Sequence, residues 1–398
     1  MNTEKKYRLA DFFNVYWDEY SKHPTKPIEP EQYKAVNAIR VCRTEALGVN
    51  YYVCKDCGEI SKTFHSCKHR FCPICSWKET LRWAERIEQN LLNIKHRHII
   101  SSVPHELIPI IKNNKKILHN ILFRATAETF KDWFWNKYKL KTGLISVLHT
   151  FGEQKNWHSH IHSIVPWGGI DPATGELIEI KNEFVQYQFI RQKFRIKFEA
   201  LLIEAFDNDL LKQNFADRIE FMLFVKSLNH NQWQIQIEKP IAKADVIIRY
   251  IGRYSKRACL SERKITNIED KHITFSYKDN YDKDQSGKAK VKELRLHYND
   301  FFPRLLQHVP PRGFQIVRYY GIYANSSKID KKYRNKSTSL KEEKSEHKDP
   351  KFCYNCNHIK TYLFTIFDRR TRQNRTEKFN REKHNHQKVF LKTKQLCA

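Results

Sequence analysis

Trp157-His158-Ser159-His160-Ile161-His162-Ser163-Ile164-Val165 is the stretch on which the reading of the fold turns. Side chains of a strand alternate between two faces. His158, His160 and His162 therefore share one face, and Ser159, Ile161 and Ser163 the other. A single strand histidine is usually packed or solvated, but three in alternation converge as imidazole metal ligands must. Divalent ions such as Mg²⁺ or Mn²⁺ can be held this way when phosphate oxygens and water complete the shell. The third ligand should come from a neighbouring strand. His149 ends the preceding strand, and a hairpin through residues 152–156 returns it beside His160; Glu153, in the turn, is the alternative. His158 is either a ligand or a residue that orients the cluster.

A second segment, Ala244 to Arg257, reads as part of a helix over 241–257 that follows Pro240. On a helix Tyr250 and Tyr254 stand at i and i+4, so both hydroxyls can face one site. Arg249, Arg253 and Arg257 form a basic stripe suited to phosphate, and Arg253 sits between the two tyrosines as a stabiliser of phosphate charge.

Cysteines supply the third signal. Cys54-Lys-Asp-Cys57 and Cys72-Pro-Ile-Cys75 are separated by 14 residues. Two such pairs can place four thiolates tetrahedrally around a structural zinc. Cys42, Cys67, His65 and His69 are left over, which leaves room for a second zinc or an exchange of ligands, with Cys67 the added candidate. Cys353-Tyr-Asn-Cys356 resembles half a knuckle; His358 is nearby, but no fourth ligand is evident. Lys55, Lys62, Lys68 and Arg70 are interleaved with the first cluster and suit a DNA-facing surface, with Lys68 and Arg70 the strongest candidates.

Periodicity places helices over 77–94, 113–137, 183–206, 215–227 and 298–308. Strands are predicted over 96–103, 144–149, 158–165 and 232–238, with strand-like pieces at 264–277 and 314–320. The expected order is a helical lead-in (1–40), a zinc-binding DNA-recognition domain (41–95), a core (96–325) and a basic, partly flexible tail (326–398).

Composition narrows the class. Lys and Arg number 72 against 44 Asp and Glu, a net charge of +28. That excess implies a polyanion, with nucleic acid the default. Glycine numbers only 11, and no Gly-rich phosphate loop is present, so the chain carries no nucleotide cofactor. No apolar run is long enough to span a membrane, and the first residues lack an apolar signal core. Ten cysteines then point to a reducing, cytoplasmic setting, associated with the nucleoid, and to metal rather than disulfides.

Together these segments resemble the HUH transposases of the insertion sequence 91 family. Cys42-Arg-Thr-Glu-Ala-Leu-Gly48, Cys54-x-x-Cys57-Gly58 and Ser66-Cys67-Lys-His-Arg70-Phe-Cys72-Pro73-x-Cys75 resemble that family's zinc-binding domain. Leu148 to Gly152 and His158 to Gly169 resemble its His-hydrophobic-His motif, and Tyr250-Ile-Gly-Arg-Tyr254 its tyrosine motif. Phe302 to Val309 and Gly313 to Gly321 resemble its closing segment. Ser159 stands where proline is common and Phe71 where histidine is common. The resemblance implies an α+β fold, an antiparallel-sheet, palm-like nuclease core with helices packed on it. It implies a transposase that nicks single-stranded element ends through a 5′-phosphotyrosine, moves by rolling-circle-like replication, and draws on a host helicase and replication proteins. A plasmid or phage replication initiator or relaxase shares this chemistry. A non-catalytic zinc-dependent DNA-binding regulator would explain the charge and the cysteines but would leave the histidines and tyrosines idle.

Overall fold

The computed structural model describes residues 7–182, 184–212, 215–230, 233–241, 258–327, 333–334 and 351–367. Two helices open it, α1 (Leu9–Lys22) and α2 (Pro30–Arg40), the second started by a proline whose missing N–H costs a first turn nothing. A hairpin of β1 (Val49–Val53) and β2 (Ile60–Phe64) follows, then α3 (Pro73–Glu88). Next come β3 (His96–Ser102), the short α4 (Ile108–Asn113), the long α5 (Lys115–Tyr138), β4 (Gly143–Phe151) and β5 (Trp157–Pro166). A small hairpin, β6 (Gly168–Ile170) and β7 (Leu177–Glu179), leads to α6 (Tyr187–Asp207), α7 (Arg218–Ser227) and β8 (Gln234–Ile237). The remainder is β9 (Ile265–Glu269), β10 (His272–Lys283), β11 (Ala289–His297), α8 (Tyr298–Leu306), β12 (Val317–Gly321) and β13 (Thr361–Ile366).

Every strand pairing within the sheets is antiparallel, and the fold is α+β. The central sheet runs β12-β4-β5-β3-β8. Its two faces follow from strand alternation. Leu144, Leu148, Trp157, Ile161, Val165 and Ile99 join the aromatic faces of α5, α6 and α7 in the largest core. Burying that face removes apolar surface from water, which stabilises the fold by roughly 25 cal/mol per Å². On the opposite face Ile145, Val147 and Ile164 meet Trp83, Ala84 and Ile87 of α3. Further along the same face the residues turn from aliphatic to histidine.

A second core lies outside the central sheet. Phe12, Phe13, Trp17 and Tyr20 of α1 pack on Phe301, Phe302 and Leu305 of α8 and on Ile273 and Phe275 of β10. Phe302 is fully buried, with its ring within 6.0 Å of those of Phe12, Phe13, Trp17, Tyr20, Tyr298 and Phe301. The helical lead-in is thus joined to residues nearly three hundred positions later. Sequence periodicity located the helices and strands of the central layer well. The tail is a departure: residues 361–366, expected in a flexible segment, form β13 and pair with β1 in a sheet ordered β13-β1-β2. β1 therefore has a partner on each side, an arrangement that chain-local patterning does not announce.

Candidate metal centres and active site

The hairpin of β4 and β5 places His149 opposite His160 and Val147 opposite His162. Alternation then brings His149, His160 and His162 to one face, where one ring nitrogen from each lies within 4.8 Å of the others. All three are buried. Burial, and then the neighbouring His149, hold the His160 and His162 rings well below the usual imidazole range, so both are unprotonated at neutral pH.

Each ring is oriented by a second contact. His160 Nδ1 lies 2.8 Å from the His158 carbonyl and, as donor, leaves Nε2 for the cluster. His162 Nδ1 lies 2.8 Å from His98 Nε2 in β3, with the two rings stacked at 6°. His98 Nδ1 lies 3.3 Å from Glu238 Oε1, just past β8. Glu238, His98 and His162 thus form a carboxylate–imidazole–imidazole chain leading to the cluster. Metal-binding histidines are commonly fixed by such outer partners. His98 and Glu238 escaped the sequence reading, although His96 and His98 show the same i, i+2 alternation as His158 to His162.

The sequence leaves two alternatives open at this centre, and the geometry separates them. His158 shares the face but lies outside the three-histidine group; its contribution is the carbonyl that receives His160. Glu153 is no ligand either. Its carboxylate pairs with Lys264 at 2.7 Å and accepts from the Lys278 amide at 3.3 Å, because the turn swings it toward β10. Tyr250, Tyr254, Arg249, Arg253 and Arg257 lie outside the described residues.

The cysteines also regroup. Cys54, Cys57, Cys72 and Cys75 do not form one site. Cys72 and Cys75 join Cys42 and Cys67, while Cys54 and Cys57 join Cys353 and Cys356. The physical reason lies in β1 and β2: Cys54 and Cys57 sit at the tip of that hairpin, whereas Cys67, Cys72 and Cys75 follow its far end, where the chain returns to Cys42. In the first group Sγ–Sγ separations are 3.5 Å (Cys42–Cys75), 3.6 Å (Cys67–Cys75) and 3.7 Å (Cys42–Cys72). Zinc–sulfur bonds of about 2.3 Å give a tetrahedron edge of about 3.8 Å, so the set fits one zinc. Cys72 is the N-cap residue of α3 and Cys75 lies in its first turn, where the helix dipole favours thiolate charge. His65 and His69 are outside this group; His65 Nε2 bonds Asn50 Oδ1 at 2.8 Å.

Arg70, expected as a DNA contact, also makes bonds within the protein. Its guanidinium donates to the carbonyls of Phe314 (2.7 Å) and Pro311 (3.1 Å), tying the cysteine module to the segment before β12. Lys68 stands at the positive φ of 54°. Phe71 packs in the second core together with Cys42, Cys67, Cys72 and Cys75, and Ser159 Oγ lies 3.1 Å from His119 Nε2 on the helix-covered face, away from the histidine cluster.

A cysteine module thus precedes an antiparallel sheet with a buried histidine cluster, and two family matches fall on these two parts. Residues 12–103 match the family described as "Transposase zinc-binding domain", and residues 143–330 match the family described as "Putative transposase". A Sinorhizobium fredii protein described as "Putative transposase y4qJ" is 32% identical over 326 residues, covering 80% of each chain. The transposase for insertion sequence element IS801 of Pseudomonas savastanoi pv. phaseolicola is 25% identical over 299 residues, covering 73% of this chain and 70% of that one. The chain belongs to the insertion sequence 91 family of transposases and carries its N-terminal zinc-binding domain. The polyanion implied by the charge of +28 is accordingly DNA. No solved structure matches the chain. Among the described residues no helix is long and apolar enough to cross a membrane.

Proposed function

We propose that this transposase is a metal-dependent HUH strand transferase that nicks single-stranded element ends and rejoins them in rolling-circle-like transposition. The observation that carries this reading is the buried cluster of His149, His160 and His162 on one face of an antiparallel sheet.

The donor set suits a divalent ion. Three neutral imidazoles favour a transition metal such as Mn²⁺ over Mg²⁺, although phosphate oxygens can complete a shell for either. Bound there, the ion would supply Lewis-acid polarisation of the scissile phosphate. The protein's part is to hold the three rings: His158 fixes His160 through its carbonyl, and Glu238 and His98 fix His162. Tyr250 or Tyr254 is the nucleophile, attacking phosphorus in line, releasing a 3′-OH and leaving a 5′-phosphotyrosine. The bond energy stays in that ester, so rejoining needs no nucleotide. Arg249, Arg253 and Arg257 neutralise phosphate charge, and Lys68 suits DNA contact. The zinc-binding domain holds a structural zinc on Cys42, Cys67, Cys72 and Cys75, and unwinding falls to a host helicase.

The test is incubation with labelled single-stranded element ends and Mn²⁺ or Mg²⁺. A covalent protein–DNA adduct is expected, stronger with Mn²⁺. Changing Tyr250 and Tyr254 together to Phe should abolish it. An adduct that survives the double change would overturn the tyrosine chemistry.

A further inference from the structure

We propose a second zinc site, on Cys54, Cys57, Cys353 and Cys356, that clasps the C-terminal segment onto the zinc-binding domain. The four sulfurs come from two loops almost three hundred residues apart. Cys54 Sγ lies 3.2 Å from Cys356 Sγ, Cys57 Sγ lies 3.4 Å from Cys353 Sγ, and Cys57 and Cys356 are 3.8 Å apart. All four sulfurs fall within 4.8 Å of one another, close to the edges of a single-ion tetrathiolate shell.

The two loops are the same structure built twice. The Cys54 amide donates to the Glu59 carbonyl at 2.9 Å, and the Cys353 amide to the His358 carbonyl at 2.8 Å. The Gly58 amide donates to the Cys54 carbonyl at 2.9 Å, and the Asn357 amide to the Cys353 carbonyl at 2.8 Å. Gly58 and Asn357 both have positive φ, 73° and 61°, in the left-handed region that glycine and asparagine tolerate best. A strand leaves each loop, β2 from the first and β13 from the second, and the two strands flank β1. Each loop presents two thiols on one side, which is half of a tetrahedral shell. Cys72 and Cys75 have no such loop, being at a helix start, and they have their own partners.

The seam around the site is specific as well. Glu59 beside the first loop pairs with Lys360 beside the second at 3.2 Å, and the Lys360 side chain is 2% exposed. Tyr51 and Phe364 face each other across β1 and β13 with ring centroids 5.0 Å apart. Gly48 has φ +103°, and a Cβ there would press on the Phe367 ring at 2.8 Å. Soft thiolates select zinc over hard ions, so this site would not compete for the ion of the histidine cluster. Loading it exchanges thiol protons for one Zn²⁺. Residues 351–367 then belong to the zinc-binding module although they lie beyond residues 12–103, and the catalytic segments become the interior of a loop closed by metal.

Metal analysis of the purified full chain tests this. Two zincs per chain are expected, falling to one in the Cys353→Ser/Cys356→Ser variant. One zinc in the unaltered chain, two retained in the variant, or iron in place of the second zinc would each overturn the assignment. A second measurement does not depend on the variant's folding. With a protease site inserted after Ser339, the cleaved C-terminal fragment should stay with the body and leave when zinc is chelated. A fragment that leaves before chelation, or stays after zinc is stripped, would overturn the clasp.

Discussion

The histidine cluster and the cysteine groups are both donor sets, but they are assembled over different lengths of chain. The histidines come from a single hairpin whose register puts His149 against His160. One cysteine group is gathered within residues 42–75, around the return of the β1–β2 hairpin, but the other comes from loops almost three hundred residues apart, Cys57 lying 3.4 Å from Cys353. The first set rests on a sheet already held by its core. The second helps to hold the sheet it rests on. Removing a donor should therefore cost activity in one region and structure in the other.

The largest expected effect breaks the cysteine side. Zinc binding by four thiolates can carry on the order of 10 kcal/mol of folding free energy. Cys42→Ser should thus unfold the module of α1–α3 with its share of the second core, seen as early proteolysis and a lost or strongly lowered melting transition. His160→Ala should leave melting within a few degrees yet lower adduct formation by about 100-fold or more. If both changes lowered stability alike, the contrast between the two regions would fall.

This contrast also explains what was legible in the sequence. A period of two is written in the chain itself, so strand alternation and a short hairpin are enough to put His149, His160 and His162 on one face. The helices of the central layer were legible for the same reason, each apolar stripe recurring within its own segment. The cysteine grouping was not. Four thiols in Cys-x-x-Cys pairs allow several pairings, and spacing alone cannot reveal that β1–β2 carries Cys54 and Cys57 away from Cys72. The pairing of β13 with β1 depends on loop closure across the entire chain, which leaves no local trace. Glu238 and His98 were missed because their contact crosses from β8 to β3.

The next effect sharpens the difference between histidines that could bind metal and those that only pack. Trp157 stacks between His119 and His308, at 13° and 22° to their planes, and His96 Nε2 lies 2.6 Å from the Tyr323 hydroxyl. Burial pushes His96 down to about 4 and His119 and His308 down to about 3. Folded, these rings stay neutral below pH 6.5 while the unfolded chain takes up protons. Their stability contribution is thus full above about pH 6.5 and falls as pH drops toward 4, by up to about 1.4 kcal/mol per pH unit for each ring. Denaturant melts between pH 7 and 4.5 should show that fall, and His308→Gln should flatten it. An unchanged slope in His308→Gln would remove that ring from the account.

The smallest effect tests whether the sheet under the histidines tunes them or only supports them. Glu238 faces His98, and His98 passes its orientation to His162 Nδ1 at 2.8 Å. Glu238→Gln keeps size and one acceptor oxygen but removes the negative charge that makes the His162 ring a better donor. The expected result is about a 10-fold rise in the Mn²⁺ concentration needed for half-maximal adduct formation, with the rate at saturating Mn²⁺ little changed. His98→Ala, which removes the contact itself, should shift the same curve further. A support role alone predicts something else: a lower melting temperature with no shift in the metal curve. Because Glu238 follows β8 directly and precedes Tyr250 and Tyr254 in the sequence, a shift in both the metal curve and the saturating rate would mean that the carboxylate also positions the nucleophile segment.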